Sequence, residues 1–209
     1  MNTSLKSRNH AQTKAKNVSG PIKPYGGRLV NRVTDDEALT GETKVLPTIQ
    51  ITPRILADLY MVAVGALSPL EGFMDSATYE SVLETMKLTN GLPWSIPVVL
   101  PATQQEVAEF HVGDRVALIA PDGTLAAKLD VTEIFEPDFA HEALSVYGTE
   151  DAAHPGVAAL QTFGPKYVAG SIHYVYANDI SGFPADNLTP AETRVRFDEA
   201  KWGTVVAFQ

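Results

Sequence analysis

Apolar and polar positions divide the chain into a helical first part, a strand-rich middle and a helix-to-strand finish. Ile55, Leu59, Val62 and Ala63 recur at helical spacing. Thr52 precedes them as a predicted N-cap, Pro53 occupies the first helical position and Gly65 supplies the stop. A second helix is predicted over 76–87, with Tyr79, Val82, Leu83 and Met86 as its buried stripe. Between the two lies a loop, 65–74, punctuated by glycine and Ser68-Pro69. Its Leu67, Leu70, Phe73 and Met74 are too apolar for a free loop, so it is expected to pack against another surface, such as a second domain or subunit.

Strand patterns dominate from Trp94 onward. Residues 94–100 read as an edge or bulged strand, because Pro97 and Pro101 each lack an amide donor. Stretches 115–120 and 125–135 flank Pro121-Asp122-Gly123, a hairpin turn. Asp138 caps a short predicted helix, and 167–176 is a further strand. Helical capping boxes are predicted at Thr34 with Glu37 and at Thr189 with Glu192. The second helix leads into 204–208, an unbroken apolar run of the kind buried on both faces of a parallel sheet. Gln209 then sits at the carboxyl end of that strand, where open α/β sheets bind ligands. A parallel partner needs a crossover of about a dozen residues, so the sequence reads as ending at the threshold of a second domain.

Composition narrows the function classes. No apolar run approaches the roughly 20 residues that span a bilayer, and the chain holds no cysteine. Disulfides and thiolate sites are therefore excluded, and a cytoplasmic setting is expected. Net charge is −9, against the basic stripe of a phosphate-backbone binder. Residues 1–20 carry Lys6, Arg8, Lys14 and Lys16 with no acid and almost no apolar face; they read as a disordered tail rather than a transit peptide.

Candidate chemistry is sparse. His141 and His173 read as structural side chains, while His154 lies in a polar loop ending His154-Pro155-Gly156. There it either faces a ligand or caps the bend by hydrogen bonding, and the second reading is preferred. Asp35, Asp36 and Glu37 fit the first turn of a helix, and Glu150-Asp151 a solvated loop. No residue is assigned as catalytic or as a metal ligand, and no phosphate-binding glycine loop with a lysine occurs.

Five stretches in order carry a resemblance. They are Pro24-Tyr25-Gly26-Gly27, residues 65–74, Trp94-Ser95-Ile96-Pro97-Val98, residues 146–151 leading into His154-Pro155-Gly156-Val157, and Trp202-Gly203 before 205–209. The chain resembles the N-terminal part of the ATP sulfurylase (sulfate adenylyltransferase) family, which usually has His where Tyr25 stands. That resemblance implies a mixed α+β fold: a PUA-like pseudo-barrel with flanking helices, then the start of a Rossmann-like nucleotidyltransferase domain. The corresponding boundaries are 1–22 for the tail, 23–186 for the PUA-like domain and 187–209 for the start of the catalytic domain. The family joins sulfate to the α-phosphate of MgATP, releasing pyrophosphate and adenosine 5′-phosphosulfate. Its Gln-x-Arg-Asn stretch and His-x-x-His pair handle the substrates, and only the Gln falls within this chain, as Gln209, a sulfate contact. The implied parent is a homo-oligomer with sulfate and ATP as partners and no nucleic acid or membrane. The fragment itself would hold no cofactor and be inactive. An RNA-binding PUA-like module and a purely structural scaffold are the alternatives.

Overall fold

The computed structural model describes residues 22–34, 46–176, 182–183 and 185–206. The predicted helix after Thr34, most of the N-terminal tail and Gln209 lie outside the described residues. Among the described residues six strands make one mixed sheet: β1 (Thr48–Gln50), β2 (Gly72–Phe73), β3 (Pro101–Ala102), β4 (Arg115–Ile119), β5 (Leu125–Phe135) and β6 (Lys166–Tyr174). Their order is β1-β4-β5-β6-β2, with β3 also on β6. Among these six strands β1 and β4 run parallel and the other pairings are antiparallel. The described strands follow an open path, with β1 at one end and the short β2 and β3 sharing β6 at the other.

Among the described residues six α-helices accompany them: α1 (Pro53–Ala63), α2 (Ser76–Thr85), α3 (Gln104–Val107), α4 (Phe139–Tyr147), α5 (Pro155–Leu160) and α6 (Pro190–Glu199). Thr52 Oγ1 accepts the Ile55 amide at 3.3 Å, as its N-cap position predicts. The α1 stripe of Ile55, Leu56, Leu59 and Val62 then packs with Ile49, Leu118, Leu129, Val168 and Ile172 of the sheet in the main core. Asp138 caps α4 by accepting the His141 amide at 3.0 Å, and Thr189 with Glu192 forms the capping box of α6. In β5 the ladder shifts between Val131 and Glu133. Such a bulge re-aims a side chain, and here the Glu133 carboxylate accepts the Ser76 amide at 2.9 Å and its hydroxyl at 2.6 Å, at the start of α2.

Four expectations change. Met86 is not part of the buried α2 stripe: α2 stops at Thr85, Met86 turns left-handed at φ 53°, and its side chain is 60% exposed. Residues 94–100 form no regular strand; Val98 and Leu100 lend carbonyls to Met74 and Val168, but the prolines interrupt the ladder. Residues 204–206 form no strand, and Val205 and Val206 are 48% and 75% exposed, because no described strand lies alongside them. The apolar 65–74 loop is satisfied within the chain, since Phe73 and Met74 are buried in the main core and Leu67 and Leu70 pack against it.

Candidate functional site

Three of the five quoted stretches converge on one face. The turn Tyr25–Gly27 seats Gly26 against Pro69, where a Cβ on Gly26 would come within 2.9 Å of Pro69 Cβ. Tyr25 donates its hydroxyl proton to the Pro93 carbonyl at 2.6 Å, and its ring lies 6.5 Å from that of Trp94. The buried Ser68 hydroxyl joins the layers: its Oγ accepts the Val30 amide at 3.0 Å and donates to the Gly65 carbonyl at 2.7 Å. Gly65 takes φ +84°, and a Cβ there would stand 2.2 Å from the Val30 carbonyl oxygen, so both its conformation and its surroundings call for glycine. Arg28 pairs with Glu71, while Arg32 donates from Nε to the Ile172 carbonyl at 2.7 Å.

Beside this cluster lies an open groove of about 640 Å³, lined by Met61, Leu67, Met86, Trp94, Ile96 and Pro97, with Arg54 and Asp58 among its polar members. Trp94 Nε1 donates to the Ile96 carbonyl at 2.8 Å, which fixes the ring. Burial pushes the Asp58 carboxyl above its usual range, against the pull of Arg54 one turn earlier. A second groove, about 600 Å³, brings Ile22 together with Leu188, Phe197, Trp202 and Val205. Its surroundings are unusually apolar for a surface: Ile22, Val195 and Trp202 are 85%, 55% and 53% exposed.

The histidines fall where packing chemistry places them. His154 Nδ1 accepts the Gly156 amide at 3.2 Å and caps α5, so the hydrogen-bonding reading of that loop holds. Glu150-Asp151 belongs to the same turn, with Asp151 Oδ1 accepting the Ala153 amide at 2.9 Å. His141 lies 4.0 Å from Glu80, and His173 Nε2 is 2.8 Å from Asp130, which also receives Arg115 Nε at 2.6 Å. Among the described residues, no group of three or more His, Cys, Asp or Glu side chains could hold a metal ion.

Partial burial raises the Asp130 carboxyl, but hydrogen bonds from Arg115 and His173, together with their charges, outweigh it and hold its pKa below the usual range. A carboxylate so depressed stabilises the fold above its unfolded pKa of about 3.9 and loses that contribution as pH falls through the folded value. With the Asp130 side chain 39% exposed, screening limits the effect to about 0.5–1 kcal/mol. Below about pH 5, denaturant unfolding of the wild type and Asp130→Asn should therefore show a stability gap that narrows as acid is added through about pH 4; a gap that widens below about pH 4 would refute the pairing.

Sequence reasoning missed one buried acid. Glu142 accepts the hydroxyls of Tyr167 at 2.9 Å and Tyr79 at 3.0 Å in an aromatic cluster with Phe135 and Phe139. Burial pushes the Glu142 carboxyl up, against those hydrogen bonds and the Arg54 charge; burial and the carboxylate push both phenols up, so they remain donors. Glu142 shares a helical stripe with Phe139, Ala143 and Val146, and an acid on an apolar stripe was the available signal.

The profile of the PUA-like domain family matches residues 22–177, a span that takes in the motif cluster, the first groove and the whole sheet. The chain belongs to the PUA-like domain family. As a PUA-like chain it is also similar to longer proteins. It is 47% identical over 187 residues to a sulfate adenylyltransferase of Chloroflexus aurantiacus, covering 90% of this chain and 48% of that protein. For a sulfate adenylyltransferase of Trichodesmium erythraeum the identity is 41% over 191 residues, covering 90% and 49%. A probable bifunctional SAT/APS kinase 2 of Sorangium cellulosum is 40% identical over 193 residues, covering 91% and 33%. Among solved structures, a hexameric APS kinase from Thiobacillus denitrificans superposes with a TM-score of 0.66 at 27% identity, covering 87% of this chain and 32% of that one. The PUA-like chain thus spans about half the length of the sulfate adenylyltransferases it matches.

Proposed function

We propose that this chain is the N-terminal part of a sulfate adenylyltransferase, with the PUA-like domain over 23–186 and the start of a Rossmann-like catalytic domain over 187–209. The carrying observation is 47% identity across 90% of the chain to an enzyme of about twice its length. The apolar groove around Phe197, Trp202 and Val205 supports the reading, because a helix-to-strand connection with exposed apolar side chains is what a catalytic half would cover. Residues 204–206 would become a strand once the rest of that sheet is alongside.

In the whole enzyme a sulfate oxygen attacks the α-phosphorus of MgATP. The α–β phosphoanhydride bond breaks, pyrophosphate leaves and adenosine 5′-phosphosulfate forms. Sulfate is a weak nucleophile repelled by the phosphates, so the rate comes from alignment and charge stabilisation. Gln209 would hold sulfate, and the remaining anion-handling groups would follow it in the parent. The PUA-like domain braces that half. The hexameric structural neighbour supports a homo-oligomeric parent, and a cytoplasmic setting fits a chain without cysteine.

The purified 209-residue chain should release no pyrophosphate from sulfate and MgATP above background, whereas the enzyme extended through a catalytic half should turn over. Steady release by the short chain would overturn the proposed division of labour. An RNA-binding role is opposed by the net charge of −9.

A further inference from the structure

His154 is an unusual N-cap, because imidazole accepts a hydrogen bond only through a nitrogen that carries no proton. With Nδ1 accepting the Gly156 amide at 3.2 Å, the ring must be the neutral tautomer protonated at Nε2. The ring also lies 4.9 Å from that of Tyr147 at 35°. Gly156 completes the arrangement: a Cβ there would meet the Tyr147 ring at 2.5 Å. Cap, glycine and tyrosine therefore interlock the start of α5 with the end of α4. Behind them Val157 and Leu160 of α5 bury against Ala143 of α4 in a small cluster of their own, flanked by Phe139 and Phe163.

We propose that His154 makes the docking of α5 on α4 a proton-sensitive latch, closed while the imidazole is neutral and loosened when it is protonated. Protonation turns the Nδ1 acceptor into a donor aimed at another donor, the Gly156 amide. It also places positive charge at the end of a helix that favours negative charge. The charged groups on the elements that meet here are Glu150 and Asp151 in the preceding loop and His141 and Glu142 on α4; Tyr147 supplies the ring face. Asp151 already accepts the Ala153 amide through its carboxylate and the His154 amide through its carbonyl, so it steadies the loop in both states. Opening would release Val157 and Leu160 from α4 and free the 148–154 loop, part of one of the five motif stretches. The latch is independent of the proposed enzyme activity.

Nitrogen NMR of the His154 ring in the full chain tests the first step: Nδ1 should be unprotonated at pH 8. Amide-exchange protection factors for Gly156, Ala158 and Gln161 test the second. They should fall about fivefold as the imidazole protonates, the loss expected for one N-cap. His154→Asn keeps a capping side chain that does not titrate, so its protection should stay level across the same range; His141 and Glu142 are common to both proteins and cancel. A proton on Nδ1 at pH 8, or an equal fall in the asparagine variant, would overturn the proposal. The tautomer measurement needs only the wild type, so a variant that fails to fold does not shield it.

Discussion

Gly72→Ala should cost the fold about 3 kcal/mol or more, as overpacking between backbones does when neither side can retreat. Gly72 pairs with Ser171 across β2 and β6, and a Cβ on it would stand 1.8 Å from the Gly170 carbonyl oxygen. The obstacle is main chain in a strand held on its other side by β5, so no rotamer change relieves it. The next residue, Phe73, is buried in the main core, which ties any displacement of β2 to the packing of α1. Denaturant unfolding of the two proteins measures the difference. A loss under about 1 kcal/mol would mean that β2 moves freely, and the 65–74 stretch would then have another purpose.

Gln209→Ala, made in the full-length parent enzyme, should lower kcat/KM for sulfate by about a hundredfold, the scale of losing one preorganised donor to a reacting anion. This rests on the proposed function. The loss should appear with sulfate as the varied substrate, while thermal unfolding of the variant matches that of the parent. Unchanged kinetics would remove Gln209 from the sulfate site without touching the assignment of the chain to its family.

Helices and hairpin were legible because their punctuation is local. Thr52, Asp138 and Thr189 each bond the amide three residues on, as capping requires, and Pro121-Asp122-Gly123 turns β4 into β5. The four-residue α3, capped by Thr103 and Glu106, is too short to show a period. Met86 fits the apolar stripe of α2 by spacing, yet the helix ends one residue earlier; period alone does not locate an end. The terminal apolar run shows the same limit from the other side, because strand character is completed by neighbours that a linear pattern does not contain. Of the candidate site, the 65–74 stretch was visible as anomalous, but its partners were not. That Ser68 reaches Val30, and Tyr25 reaches Pro93, is information held in three dimensions. Glu142 hid for a related reason, since its two tyrosine partners lie 63 and 25 residues away.

The place of β6 in the sheet bears on how the polypeptide is made. β6 joins β5, β2 and β3, and Tyr174 also exchanges backbone hydrogen bonds with the 32–34 segment. Residues near both ends of the PUA-like domain therefore meet at the last described strand of that domain to leave the ribosome. Pairings of such long sequence separation are slow to form, and until β6 emerges, β2 and β5 each lack a neighbour. The nascent domain must wait with apolar strands uncovered, the period in which chaperones are of most use to a growing chain.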